Sequence, residues 1–271
     1  MNIYNLHSNP ETLAGYDQRG AVPAVLEELI KTKQKPAIEQ KIMKDPWSAA
    51  RYAQRFFKGV GWPEAEPIIM TDPNSAWYYA GFVINDEWPA AEPIIMQDAK
   101  SAYYYALTVL RRRWEKAEPV IMTDPESASY YAIHVIKDEW AEAEPIIMTD
   151  PEFALAYAKD VLKRRWEKAE PVIMTDPKLA FDYAEEFFKG VGWPAAEKYI
   201  MKDPESAYRY ATKVSEGPWP AAEQYIMKDS YSAYMYARYV LKKPWPEAEK
   251  YIIKDARWWN NYTEEFPDAE R

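Results

Sequence analysis

Two carboxylates recur in fixed relation along this chain. Glutamates stand at Glu39, Glu66, Glu92, Glu118, Glu144, Glu170, Glu197, Glu223 and Glu249, each followed six residues later by an aspartate, from Asp45 and Asp72 to Asp255. Paired carboxylates are what general acid–base hydrolysis uses, but such chemistry needs one unique pair in one pocket. A couple repeated nine times is what a structural repeat demands. In six of the nine repeats the Asp precedes a proline, the signature of a helix N-cap with Pro at the first helical position; Asp98, Asp229 and Asp255 lack it. The Glu falls on or beside an apolar helix face, so it must accept hydrogen bonds there. Its expected donors are tyrosine hydroxyls, tryptophan indole N–H groups or free backbone N–H groups at a helix start.

Other chemistries find fewer residues. The chain has no cysteine, which removes thiolate nucleophiles and Cys-ligated zinc, and only two histidines, His7 and His134, so a His-based triad or metal site would need distant parts of the array to meet. Two Gly-Val-Gly strings, in FFKGVGWP at Phe56–Pro63 and Phe187–Pro194, lack both the spacing of a dinucleotide loop and the Lys-Ser or Lys-Thr of a phosphate loop. The expectation is a protein that is not an enzyme and has no cofactor and no metal. A formal charge of −9 argues against nucleic acid as a partner. No apolar run is long enough to span a bilayer and the amino terminus lacks a signal-peptide pattern, so the reading is a cytosolic protein that does not engage membranes.

The elements that carry these residues follow from a fixed period. Tryptophan opens eight of nine repeats (Trp62, Trp88, Trp114, Trp140, Trp166, Trp193, Trp219, Trp245), with Lys35 in that place in the first. The spacing is 26 residues except after each FFKGVGWP string, where it is 27. After the Asp, Ala, Tyr, Ala and Val at steps of four, seven, eight and eleven (Ala128, Tyr131, Ala132, Val135) form the stripe of a buried helix face, which we term helix B. Helix A covers the stretch from Trp to Met, with Trp140, Ala143, Glu144 and Ile147 on one side. The proline after the Glu in five repeats (Pro67, Pro93, Pro119, Pro145, Pro171) leaves open whether helix A is kinked or begins nearer the Glu. Eight methionines in one register (Met43, Met70, Met96, Met122, Met148, Met174, Met201, Met227) read as a core ladder. The predicted fold is all-α: an α-solenoid of nine helix-turn-helix repeats, tetratricopeptide or Sel1-like in style, as one continuous domain. Its expected parts are an amino-terminal cap at 1–35, the repeats at 36–254 and a carboxy-terminal capping helix at 255–271.

Two surface features stand out. Loop charges alternate in sign between repeats, from Asp86 and Glu87 to Arg112 and Arg113, then Asp138 and Glu139 to Arg164 and Arg165, which predicts opposite charges facing each other along one edge. On helix B, the positions six and nine after the Asp point away from the buried stripe; they are polar later in the chain (Asp182, Glu185, Arg209, Thr212) but aromatic or aliphatic in repeats two to four. Tyr78, Tyr104 with Leu107, and Tyr130 with Ile133, flanked by Trp77, Phe82, Tyr103 and His134, predict an exposed aromatic row that binds a partner.

The units WPEAEPIIMTDP and WPAAEKYIMKDP, the A-x-x-Y-A that follows and the leading LHSNPETLAGYDQR resemble tandem Trp-Pro-Glu-Ala-Glu helical repeats of uncharacterised tailed-bacteriophage proteins, over nearly the full chain. The resemblance implies a phage protein made in the bacterial host cytoplasm, with roles in host takeover or evasion of host defence. It brings no catalytic residues. The expected function is therefore a protein-binding repeat scaffold with a host protein as partner and homo-oligomers open; the alternative is a small-ligand-sequestering protein or a virion structural component.

Overall fold

The computed structural model describes residues 35–267 and 269 of the chain. The expected amino-terminal cap with His7 lies outside these residues apart from Lys35. Among the described residues every element is a helix and no strand occurs. The chain divides into two compact halves, one ending at Ala143 and one beginning at Glu144. In the first, the helices are α1 (Lys35–Ile42), α2 (Pro46–Phe56), α3 (Glu66–Ile69), α4 (Pro73–Tyr79), α5 (Glu92–Ile95), α6 (Ala99–Tyr105), α7 (Glu118–Ile121) and α8 (Pro125–Tyr131). The second holds α9 (Glu144–Ile147), α10 (Pro151–Tyr157), α11 (Glu170–Ile173), α12 (Pro177–Phe187), α13 (Pro194–Ile200), α14 (Pro204–Lys213), α15 (Pro220–Ile226), α16 (Ser230–Tyr236), α17 (Pro246–Ile252) and α18 (Ala256–Glu265). Odd numbers are helices A and even numbers helices B. Within each half, a helix B packs on the helix A that follows it and on the next helix B.

Every helix B starts at its aspartate. Each of the nine Asp residues sits in extended backbone and accepts from a backbone N–H of the first turn, as Asp203 does from Ser206 at 2.8 Å. At Ser75, Ser101, Ser127, Ser206 and Ser232, three residues on, the buried hydroxyl also donates to the same carboxylate, at 2.6 Å for Ser101 on Asp98. Where it is absent, as after Asp150 and Asp176, the carboxylate spreads over two backbone N–H groups instead.

Helix A is settled by proline. In the five repeats with Glu-Pro, the helix begins at the Glu and is four residues long, because Pro67 and its equivalents have no N–H to donate back toward the Trp. The three residues before it form a tight turn closed by the Ala N–H on the Trp carbonyl, at 2.9 Å for Ala65 on Trp62. With Lys198, Gln224 or Lys250 in that place, the helix extends back to Pro194, Pro220 and Pro246 and has seven residues. Either way the Trp, Ala and Ile positions are buried, so the inward face is the same.

The stripe of helix B is also buried, with the Ala-Tyr-Ala positions closed to solvent from Ala76, Tyr79 and Ala80 through Ala233, Tyr236 and Ala237. Its end differs from a plain helix. α4, α6, α8, α10 and α16 run on into a π-helical turn (Ala80–Ile84, Ala106–Leu110, Ala132–Ile136, Ala158–Leu162, Ala237–Leu241) that closes on a left-handed residue such as Arg111 or Lys163. The wide turn takes in an extra residue, and in repeats three and five burial moves on by one place: Leu110 and Leu162 are buried while Val109 and Val161 are half-buried. In the two longer repeats helix B stays α-helical and the added residue lies in the Gly-Val-Gly loop. Gly59 and Gly190 there donate to the carbonyls of Val83 and Val214 in the next repeat, at 2.7 and 2.8 Å.

One expectation is corrected. The methionine register is half-buried throughout, and the core ladder is the isoleucine one position earlier: Ile69, Ile95, Ile121, Ile147, Ile173, Ile200, Ile226 and Ile252 are fully buried. The Met is the residue that ends helix A, as Met70 and Met122 do, so it lies at the rim where the chain turns toward the Asp.

Candidate functional site

The repeated Glu, Trp and Tyr meet at a node that recurs along the chain. The tyrosine hydroxyl of helix B accepts the backbone N–H of the Trp seventeen residues earlier, at 2.7 Å for Trp88 on Tyr105 and for Trp219 on Tyr236. It donates in turn to the repeat's Glu: Tyr79 to Glu66 at 3.1 Å, Tyr210 to Glu197 at 3.1 Å, Tyr236 to Glu223 at 3.0 Å and Tyr262 to Glu249 at 3.0 Å. In the first repeat, Tyr52 donates to Glu39 at 3.2 Å. In these repeats the Glu therefore binds a tyrosine hydroxyl, one of its three expected donors, whereas Tyr105 takes the Trp88 N–H and feels Glu92 through charge. The Trp backbone N–H is satisfied by the same oxygen, a link that spacing alone did not reveal, although the constant interval of seventeen was its signal. Two carboxylates are clamped further, Glu118 by Arg113 (2.6 and 3.0 Å) and Glu170 by Arg165 (3.0 and 3.2 Å).

Each node is closed by the next repeat's Trp. Tyr79 lies against Trp88 at 5.0 Å between ring centres, Tyr105 against Trp114 at 5.1 Å, Tyr131 against Trp140 at 5.2 Å and Tyr210 against Trp219 at 4.9 Å. At Tyr262 the neighbours are Trp259 (5.7 Å) and Phe266 (5.1 Å) of its own helix and the residue beyond it. Burial pushes these phenols up, the Trp N–H opposes it and the nearby carboxylate adds to it: Tyr105 and Tyr131 reach about 12, and Tyr79, Tyr183, Tyr210, Tyr236 and Tyr262 go higher.

The expected aromatic row is placed differently from its prediction. None of its nine residues is exposed: Trp77, Tyr78 and Tyr103 are buried, and Phe82, Tyr104, Leu107, Tyr130, Ile133 and His134 are half-buried. Side chains at positions five and six reach sideways along the seam between neighbouring helices B. Trp77 stacks on Tyr104 at 5.0 Å, Tyr103 on Tyr130 at 6.4 Å, and Tyr78 tilts onto Trp47 and Phe82 at 4.8 Å each. The Tyr78 hydroxyl joins Arg51 (3.2 Å) and Gln54 across the seam, and the Trp77 indole donates to Asn74 at 3.0 Å. Tyr130 stacks on His134 at 5.8 Å. The buried Tyr103 hydroxyl is without a hydrogen-bond partner.

In the second half position five of the seam is again aromatic at Phe181, Tyr208 and Tyr234, all buried, with Tyr208 against Tyr231 at 5.7 Å, while position six becomes charged at Asp182 and Arg209. Half-buried Asp182 has its carboxyl pushed up by burial, with Arg209 opposing that rise, and Lys213 reaches Glu185 at 2.6 Å. The loop-charge expectation holds for Glu87 and Arg112, which form a two-pronged ion pair across adjacent repeats, while Arg113 turns inward to Glu118. The large apolar side chains exposed among the described residues are Phe56, Val60, Val191, Tyr239 and Ile253. Among the described residues no three His, Cys, Asp or Glu side chains gather as metal ligands would, and no helix is long and apolar enough to cross a membrane.

Comparison with protein-family models, curated proteins and solved structures finds no match to this chain.

Proposed function

We propose that the chain is a non-enzymatic protein-binding scaffold in which the nine repeats stack as one α-solenoid, capped by residues before the first repeat and by α18. The observation that carries this reading is the contrast between a constant interior and a variable seam. The Asp carboxylate, the Tyr hydroxyl and the Trp backbone N–H of the motif are tied up inside the repeats. Position six of helix B, in contrast, changes from tyrosine in repeats two to four (Tyr78, Tyr104, Tyr130) to Asp182 and Arg209 in repeats six and seven, beside a position five that stays aromatic at Trp77, Tyr103, Phe181 and Tyr208. Repeats that keep a common core and vary one side are how solenoids build extended recognition surfaces. The resemblance of the repeats to bacteriophage proteins points to a host protein as partner, met in the bacterial cytoplasm, whose inhibition or redirection serves takeover of the host or evasion of its defences.

The recognition residues of this reading are the half-buried members of the seam, Phe82, Tyr104, Leu107, Tyr130, Ile133 and His134, over a floor of Trp77, Tyr78 and Tyr103. The test is quantitative affinity capture from host lysate followed by titration of the captured protein. Ile133→Ala combined with His134→Ala should weaken binding by about 2 kcal/mol, as truncation at a hot spot does, with an unchanged melting temperature. Undiminished binding by a folded double variant overturns the assignment of this surface.

A further inference from the structure

The nodes of the second half join into a single row of oxidisable rings. From Tyr183 the row passes to Trp193 by ring contact at 5.1 Å, from Trp193 to Tyr210 through the backbone N–H on the phenol oxygen, and from Tyr210 to Trp219 at 4.9 Å. It goes on from Trp219 to Tyr236 through a 2.7 Å hydrogen bond, to Trp245 at 5.1 Å, and to Tyr262 through the Trp245 N–H. All seven rings are buried. Each of the four tyrosines also has a carboxylate at the end of its O–H: Glu170 at 3.2 Å, Glu197 at 3.1 Å, Glu223 at 3.0 Å and Glu249 at 3.0 Å.

Tyrosine and tryptophan are the readily oxidised aromatic side chains. A phenol gives up an electron at moderate potential only if its proton leaves at the same time, and in a buried site that proton needs a base already in contact. A row in which the two rings alternate, joined in turn by ring contact and by a backbone N–H on the phenol oxygen, with a carboxylate for every phenol, meets both conditions. We propose that this row conducts single oxidising equivalents inward from the surface and holds them as neutral tyrosyl radicals. The co-reactant is a one-electron oxidant strong enough to oxidise tryptophan.

The oxidant takes one electron from the indole of Trp193, leaving its radical cation. The Tyr210 O–H then returns an electron to Trp193 and passes its proton to Glu197, giving a neutral phenoxyl radical and a carboxylic acid. Trp219 next supplies an electron to that phenoxyl, which recovers its proton from Glu197. Repetition moves the radical to Tyr236 with Glu223, and then to Tyr262 with Glu249. The entry point is Val191, 84% exposed at the tip of the Gly-Val-Gly loop and two residues before Trp193. Phe188 stacks on that indole at 5.0 Å.

The chain has no cysteine, so Val191→Cys in the full-length protein accepts a single ruthenium polypyridyl label. Flash photolysis with a sacrificial acceptor generates Ru(III) at the loop tip. Freeze-quenched electron paramagnetic resonance reads the radical, and difluorotyrosine placed at residue 236 marks it there by fluorine hyperfine splitting. The expected result is a neutral tyrosyl signal carrying that splitting. Trp219→Phe, which keeps an aromatic ring but removes the oxidisable one, should abolish the splitting while leaving a tyrosyl signal from Tyr210. Glu223→Gln keeps an acceptor for the hydroxyl but cannot hold its proton, and should abolish the splitting as well. Circular dichroism of each variant checks that the fold is retained. The proposal is overturned if the labelled parent forms radicals without fluorine splitting, or if the splitting survives in both folded variants. Should either variant unfold, the parent's result alone decides.

Discussion

A buried hydroxyl is worth having only when its partner is present, and the tyrosines of this chain supply both cases. Tyr236 satisfies Trp219 N–H and Glu223 together, so Tyr236→Phe leaves a buried donor and a carboxylate short of a partner and should cost about 1–3 kcal/mol. Tyr103→Phe removes a hydroxyl that is buried and without a partner, and should leave stability unchanged or raise it. Urea denaturation of the two variants side by side checks this: equal midpoints would remove the node as a source of stability. Glycine matters where the chain passes the same node. Gly192 has φ of +78°, and a Cβ there would come within 3.3 Å of the Tyr210 hydroxyl, so Gly192→Ala combines backbone strain with a disturbed node.

At the scale of the element, short helices depend on their ends. The aspartate caps each satisfy N–H groups that a seven- to eleven-residue helix cannot spare, and Asp203→Ala should cost about 1 kcal/mol by the same denaturation measurement, within the range known for N-caps. Proline gives a sharper contrast in helix A. Lys198→Pro puts in α13 the residue that five other repeats already carry at that place, so the helix should shorten to begin at Glu197 with its buried face kept. Tyr199→Pro has no such precedent and should cost about 3 kcal/mol, the usual penalty inside a helix. Loss of folding by Lys198→Pro would show that the two forms of helix A are not interchangeable.

For the whole molecule, the repeated node makes stability a function of alkaline pH. The phenols of Tyr52, Tyr105 and Tyr131 are held at about 12 in the folded chain, against the ordinary 10 expected on unfolding, with burial as the leading cause. A group raised on folding keeps its full contribution below the unfolded value, and loses it as pH climbs through the folded one. Between pH 10 and 12 the unfolded chain binds fewer protons than the folded chain, so each such tyrosine lowers stability by up to ~1.4 kcal/mol per pH unit. Because at least eight tyrosines share this environment, the slopes add and the chain should unfold cooperatively above pH 10. Phenolate absorbance and loss of helical circular dichroism should then rise and fall together. Gradual ionisation near pH 10 with the helices intact would contradict the geometry of the nodes.

The period, the order of helices, the Asp caps and the buried Ala-Tyr-Ala stripe were all legible in the residues, because each depends on contacts within one turn or one repeat. Capping is a bond across three residues, and a stripe is a consequence of helical pitch. Composition and spacing also placed the Glu on a tyrosine hydroxyl among its possible donors. Four features needed the tertiary structure. The helical wheel gives the angle of Tyr78, Tyr104 and Tyr130 but not the distance to the next helix B, and it is that distance that turned an expected exposed row into a seam. The choice of Ile over Met as core ladder depends on where helix A ends, and the choice between a kinked and a shortened helix A on whether a preceding turn can close without the proline N–H. In repeats three and five burial moves on by one residue, to Leu110 and Leu162, at the end of a π turn whose hydrogen bonds no side-chain pattern announces. The join of Trp backbone to tyrosine oxygen spans seventeen residues, and a bond of that reach becomes visible only when the two helices of a repeat are packed together.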